Sequence, residues 1–307
     1  MTAAHETRSP RTGVVYRHFA GPERHVGALS TPLRVAHVSD QHIGMVTPMR
    51  LQRAIMEEVN GLGVDLVALT GDYVGYGLGY LDRLEEVLAR LEVPAIAVLG
   101  NHDHFAGAAE VRRTLERVGV TVLSNAWTEF RCRGEQIQVV GLDDAYTGHA
   151  DAARATAGLD RRRPVLALSH IAEEADQLWS LGAPLVLSGH THAGHITVGG
   201  LHEFTLGRIF GYRYLHGLYG SRAADALGAV YVSAGIGASV FGLRVGERAR
   251  REVPVFTLGT PRDPANEHHA EQSPQRAWRP FSERKIETRQ AKIARQRARH
   301  ASRATRA

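Results

Sequence analysis

The chain has one cysteine, Cys132, in 307 residues. No disulfide can close within it, and no zinc site built from several thiolates can form. That usage fits a reducing compartment. Long apolar runs are also missing. Nothing approaches the ~18 uninterrupted apolar residues of a membrane-spanning helix. The opening stretch MTAAHETRSPRTG is polar and has no apolar core behind it, unlike a secretory signal. The expectation is a soluble, cytoplasmic protein with no transmembrane segment. The glycine-rich stretch from Gly75 to Gly79 lacks the Gly-Lys-Ser/Thr ending of a phosphate-cradling loop. No internal repeat is visible.

A basic face is missing as well, although the net charge is +5. From Glu271 to Ala307 there are 11 Lys and Arg against 3 Asp and Glu, a net of +8, which leaves the rest of the chain at −3. The basicity is a property of a tail, not of a nucleic-acid-binding domain. The hydrophobic content of 43% and charged content of 22% are those of a globular chain with a sizeable core.

What is present is a repeated grammar, in which a short apolar strand ends in a burst of metal-capable side chains. Strands are expected over Leu33–Val38, Val64–Leu69, Pro94–Leu99, Pro164–Leu168 and Leu185–Leu187. Their near-continuous apolar character is that of buried parallel strands. Helical spacing appears over Thr47–Leu62, with Pro48 at its start and Gly61 at its end, and over Tyr80–Leu91, Ala108–Val118, Asp151–Asp160 and Glu173–Leu181. Val14-Val15-Tyr16 reads as the start of an edge strand or hairpin. Further strand character lies at Val120–Leu123, in a hairpin around Gly134-Glu135, at Val230–Ser233 and at Val253–Leu258. The order implies an α/β domain with helices covering the sheet faces. Its expected limits are 30–260, between an N-terminal extension (1–29) and a basic, mostly disordered C-terminal tail (261–307) whose few apolar residues cannot offset the entropy of ordering.

The bursts are Asp40-Gln41-His42, Gly71-Asp72, Gly100-Asn101-His102-Asp103, Ser169-His170 and Gly189-His190-Thr191-His192. Side chains two apart on extended chain leave the same face. Each burst follows the carboxyl end of a strand, where open α/β sheets place their sites. Together they offer imidazoles, carboxylates and an amide oxygen, a mixture suited to first-row divalent cations and numerous enough for two. A carboxylate shared by two ions holds them ~3.5–4 Å apart, the spacing used for in-line displacement at phosphorus. His37, inside its strand, reads as a core histidine. Asp143 and Asp144 read as a solvated loop pair. His104 and His195 read either as lining the site or as plain neighbours.

In these motifs the chain resembles the calcineurin-like metallophosphoesterase superfamily, whose pattern is D-x-H, G-D, G-N-H-D/E, H and G-H-x-H. The likeness covers roughly residues 33 to 195 and extends more weakly to about 258. The run from Gly189 to His195, with Tyr231-Val232-Ser233-Ala234-Gly235 and Arg244, resembles a bacterial branch that includes phosphodiesterases and some UDP-diacylglucosamine pyrophosphatases. That branch usually has Gly-Gly-Gln where this chain has Ala193-Gly194-His195, and often Pro where this chain has Ala172.

The resemblance implies a four-layer α/β/β/α sandwich with mixed sheets. It implies two divalent ions (Mn, Fe or Zn), the first held by Asp40, His42 and His192, the second by Asn101, His170 and His190, with Asp72 bridging. It also implies His102 as acid to the leaving group, oriented by Asp103. The function implied is a metal-dependent phosphoesterase, foremost a phosphodiesterase using a metal-bridging hydroxide. The alternatives are a pyrophosphatase acting on a nucleotide- or lipid-linked pyrophosphate, or a non-catalytic metal-bound scaffold. The partner expected is a phosphoester or pyrophosphate substrate. The basic tail would suit nucleic acid or an anionic membrane surface, and the aromatic stretch Phe204–Tyr219 either an apolar wall or ordinary packing.

Overall fold

Apolar side chains on the central strands alternate between two buried faces, and that alternation sets the layers. The computed structural model describes residues 6–22, 29–75, 77–194, 211–220, 227–238, 244–246 and 249–260. Among them are strands β1 (Glu6–Arg8), β2 (Val15–Pro22), β3 (Leu33–Val38), β4 (Leu66–Thr70), β5 (Ala95–Val98) and β6 (Thr121–Val122). These form the first sheet with the last strand, β13 (Glu252–Thr260), in the order β1-β2-β13-β3-β4-β5-β6. The second sheet comprises β7 (Ala126–Cys132), β8 (Glu135–Gly141), β9 (Val165–Leu168), β10 (Leu185–Ser188), β11 (Gly217–Tyr219) and β12 (Ala229–Val232), in the order β11-β12-β10-β9-β8-β7. Both sheets are mixed. β3, β4, β5 and β6 run parallel, as do β8, β9, β10 and β12, while β13–β3 and β7–β8 are antiparallel.

Three apolar cores follow from the period-two side-chain pattern. Leu33, Val35, Leu66, Ala68, Ile96 and Val98 face the second sheet and meet Leu166, Leu168, Leu185 and Leu187. Ala36, Val38, Val67, Leu69 and Ala97 face the other way, onto helices α1 (Met49–Asn60), α2 (Leu81–Leu88), α3 (Asn101–Ala106) and α4 (Ala108–Arg117). Val165, Ala167 and Val186 face outward onto α5 (Ala152–Ala155) and α6 (Ala175–Ser180). The result is the four-layer α/β/β/α sandwich with two mixed sheets. Because the central strands are covered on both sides, their sequences carry almost no polar residues.

Elements differ from expectation mainly at their ends. α1 begins after Pro48 and stops at Gly61, as its spacing suggests. The helix expected over Asp151–Asp160 is a single turn, Ala152–Ala155: Thr156 is already outside it at φ −103°, ψ 3°, and Gly158 follows in the left-handed region at φ +79°. Residues 15–22 of the expected N-terminal extension form β2, which lies inside the first sheet between β1 and β13. β2 is tied there by a buried ion pair, Arg17 Nε donating to Glu252 Oε2 at 2.6 Å. Glu252 Oε1 also accepts from Tyr231 Oη (3.1 Å) and the Ala234 amide (2.9 Å), and lies 3.0 Å from His216 Nε2. The tail (261–307), His195 and Phe204 lie outside the described residues. Among the described residues, no helix is long and apolar enough to cross a membrane.

Candidate metal centre

The carboxyl ends of β3, β4, β5, β9 and β10 open onto one place, and the bursts that follow them converge there. Asp40, His42, Asp72, His170 and His192 are all nearly or fully buried. Five of the converging residues hold left-handed backbone: Asp40 (φ 52°), His42 (43°), Asp72 (57°), His190 (75°) and His192 (50°). Such conformations cost non-glycine residues of order 1–3 kcal/mol each and persist where surrounding structure imposes them. Two glycines explain part of the imposition. A Cβ at Gly100 would overlap the Asp72 carboxylate, and one at Gly189 would overlap Ser39 Oγ and the Asp40 carboxylate. The Gly-Asn and Gly-His dipeptides are therefore packing requirements of the site.

Two groups of donors form around Asp72. On one side, His192 Nε2 lies 2.9 Å from His42 Nε2 and 3.4 Å from Asp40 Oδ1. On the other, Asn101 Oδ1 lies 2.9 Å from His190 Nδ1 and 3.2 Å from His170 Nε2. Asp72 Oδ2 stands between them, 3.6 Å from His42 Nε2 and 3.3 Å from His170 Nε2. Ligand atoms of Asp40, His42 and His192 lie within 4.8 Å of one another, and the same holds for Asp72, His170 and His190 and for His42, Asp72 and His102. Burial pushes His42 and His190 down to about 3, so both are neutral at pH 7 and present lone pairs. Burial pushes Asp40 up to about 6. Burial alone would also raise Asp72 and lower His170, but their mutual attraction reverses both, holding Asp72 well below the usual carboxylate range and His170 up at about 10.

The far atoms of these candidate ligands are also fixed. His170 Nδ1 donates to the Thr70 carbonyl at 2.6 Å, which turns Nε2 toward Asn101 and Asp72. His190 Nε2 lies 2.9 Å from Tyr212 Oη, which turns Nδ1 toward Asn101. Arg244 Nη2 stands 3.2 Å from His192 Nδ1 while also donating to the Ala234 carbonyl. The His190 amide donates to both Asp40 oxygens at 3.1 Å. Behind Asp40 runs a relay: Ser39 Oγ donates to Asp40 Oδ2 (2.6 Å), Thr70 Oγ1 donates to Ser39 Oγ (2.8 Å), and His37 Nε2 lies 2.8 Å from Thr70 Oγ1. Both hydroxyl protons are committed forward, so His37 Nε2 is the donor at its head. His37 is a fully buried core histidine, as expected, that also braces a site carboxylate.

Two expectations need correcting. Asp103 does not spend its oxygens on His102. Oδ2 accepts from the amides of Asp72 (2.8 Å) and Gly100 (2.9 Å), and Oδ1 from those of Tyr73 (2.9 Å) and Val74 (3.3 Å). It is a staple between the loop after β4 and the start of α3. His102 is oriented instead by the Gly75 carbonyl, 2.8 Å from its Nδ1, and its own amide donates to Asp72 Oδ1 at 2.8 Å. Nor are Asp143 and Asp144 solvated: they are 9% and 0% exposed. Asp143 Oδ1 pairs with His104 Nε2 at 2.7 Å, and Asp144 Oδ2 accepts from the Thr147 amide at 2.6 Å. His104 also stacks on His149, with centroids 4.2 Å apart. Tyr212 was reachable only as one aromatic among many, since nothing local marks its contact with His190. The Ser39–Thr70 link was equally hidden, because it joins two strands.

Imidazole nitrogens, carboxylate oxygens and one amide oxygen suit first-row divalent cations. Neutral His42 and His190 facing two carboxylates form a donor set such a cation would satisfy. Residues 33–194 match the family model of the calcineurin-like phosphoesterases. Over 279 residues the chain is 28% identical to phosphodiesterase YaeI of Escherichia coli (strain K12), covering 84% of this chain and 97% of the relative. It is 27% identical over 231 residues to the uncharacterized metallophosphoesterase YkuE of Bacillus subtilis (strain 168), covering 73% and 78%. Among solved structures, that of an archaeal phosphodiesterase aligns over 66% of this chain and 85% of its own, with 15% identity and a TM-score of 0.36.

Proposed function

The chain belongs to the calcineurin-like phosphoesterase family and is a metal-dependent phosphoester hydrolase, and from that premise we propose that it cleaves phosphodiesters with two divalent cations. The reading rests on the position of Asp72, whose Oδ2 faces His42 on one side and His170 on the other. Asp40, His42 and His192 would hold one cation, Asn101, His170 and His190 the other, and Asp72 both. Such a pair supplies Lewis-acid stabilisation of the phosphoryl oxygens and a hydroxide nucleophile at neutral pH.

The chain's own residues supply orientation and a proton. His102 Nδ1–H donates to the Gly75 carbonyl, so the ring is held with Nε2 as its exchanging nitrogen. As the ester bond to phosphorus breaks, the proton held at His102 Nε2 passes to the departing oxygen. The relay from His37 to Asp40 and the Tyr212 contact to His190 keep ligand atoms aimed before any cation arrives. The diester preference is supported by the name of the Escherichia coli relative.

The test is turnover of bis-p-nitrophenyl phosphate and p-nitrophenyl phosphate by metal-stripped protein, with Mn, Fe, Zn or Mg restored. The expected result is metal-dependent turnover, faster for the diester, and abolished in Asp72→Asn with the fold retained. Turnover persisting in Asp72→Asn would remove the bridging role. A preference for the monoester would remove the phosphodiesterase assignment.

A further inference from the structure

Exposed aromatic rings are uncommon on a folded surface, and grouped ones mark binding sites more often than scattered ones. Among the described residues, two aromatics are exposed: Phe105 at 58% and Tyr146 at 40%. They come from different parts of the chain and meet. Phe105 is on α3, four residues after Asn101 and therefore on the same helical face. Tyr146 is in the loop after β8, anchored by the buried Asp143 and Asp144. Their centroids lie 6.4 Å apart, with planes at 81°.

The pair sits at the site's edge. The Phe105 ring is 6.1 Å from that of His102, and the Tyr146 ring is 5.4 Å from that of His190. Two rings at near right angles form a corner, one offering its face and the other its edge. A flat ring can stack on the first while meeting the second in the favoured T-shaped geometry. The loops beside this corner hold it still: Asp143 is hydrogen-bonded to His104, which is Phe105's neighbour on α3. The corner adjoins the residue assigned to protonate the departing oxygen, so it lies on the leaving-group side of phosphorus.

We propose that Phe105 and Tyr146 bind a flat aromatic group carried by the leaving alcohol, so that the substrate class is a phosphodiester whose departing half contains a base-like or aryl ring. This rests on the phosphoesterase reading and on His102 as the proton donor. It adds a specificity that the metal ligands, which see only phosphate, do not provide. An aliphatic group of similar size would gain burial but no stacking.

The experiment measures binding without chemistry. Phenylphosphonate, cyclohexylphosphonate and methylphosphonate carry uncleavable P–C bonds, and their affinities for the Mn-loaded full chain are read by calorimetry. The expected order is phenyl tightest, by about fivefold to tenfold over methyl, the range that aromatic pairing supports. In Phe105→Ala that ratio falls toward one while the methylphosphonate affinity stays put, and Tyr146→Ala does the same. Because Phe105 is exposed, its truncation leaves the fold intact. Cyclohexylphosphonate binding as tightly as phenylphosphonate would replace an aromatic site with a merely apolar one and overturn the proposal. So would a phenyl-to-methyl ratio unchanged in both variants. Failure of all three phosphonates to bind would overturn the reading of this centre as the phosphate site, and the proposal with it, whereas turnover of bis-p-nitrophenyl phosphate tests the phosphodiesterase reading separately.

Discussion

Tyr212 touches the centre through His190, and its hydroxyl determines which ring nitrogen that histidine presents. With Nε2 held 2.9 Å from the Tyr212 hydroxyl, Nδ1 is left beside Asn101 Oδ1. Partners of this kind typically contribute 10–100-fold to metal affinity. Tyr212→Phe is therefore expected to weaken the cation held by Asn101, His170 and His190 by about 10–100-fold, leaving the Asp40, His42 and His192 side unchanged. Stepwise metal titration by calorimetry reads the two sides separately. Equal affinities in variant and parent would reduce Tyr212 to packing. The residues that converge here were legible in the sequence, because each sits directly after an apolar strand in a short spaced motif. Tyr212 was not, because its contact spans 22 residues and leaves no local trace.

At the scale of elements, Asp103 determines whether α3 and the loop after β4 stay together. One buried carboxylate serves four amides, two on each oxygen. Asp103→Asn would turn an NH2 group toward two of those donors and strand them. Stranding a buried donor costs about 1–3 kcal/mol, so a loss of about 2–6 kcal/mol is expected. The urea midpoint checks it, and an unshifted midpoint would mean that the loop finds other acceptors. Elements were readable where burial on both faces wrote a near-continuous apolar run, as in β4, β5, β9 and β10, and in β3 despite Arg34 and His37. α3 was not, since its six residues begin with the site residue Asn101 and carry no apolar periodicity. β2 was seen only in its first residues, for its partner β13 lies far along the chain. The loop pair Asp143 and Asp144 looked solvated because its partners, His104 and Thr147, are not signalled by sequence spacing.

For the molecule as a whole, buried neutral histidines tie stability to pH. His37 is fully buried and pushed down to about 3, against an ordinary value of 6.5. Above pH 6.5 neither the folded nor the unfolded form protonates it. Below that, the unfolded chain takes up the proton and the folded one refuses it until about 3. Stability is thus complete above 6.5 and falls by about 1.4 kcal/mol for each pH unit below it, until the folded group also titrates. His37→Gln keeps a donor for Thr70 and removes the titration. The slope of unfolding free energy between pH 6 and 4 should therefore shrink by about 1.4 kcal/mol per unit in that variant. Parallel slopes in the two proteins would show that His37 is not the group responsible.

The placement of β13 bears on how the protein is born. β13 pairs with β2 on one side and β3 on the other, and it is the last strand of the described chain. While the ribosome works through the more than 200 residues between β3 and β13, both of those strands wait with bare edges. At about 5–20 residues per second the wait is roughly 10–40 s. Open strand edges invite pairing with other nascent chains. The first sheet must therefore close late, around a strand delivered after every other described strand, so a chain cut short before residue 252 would be an aggregation hazard and not a smaller enzyme.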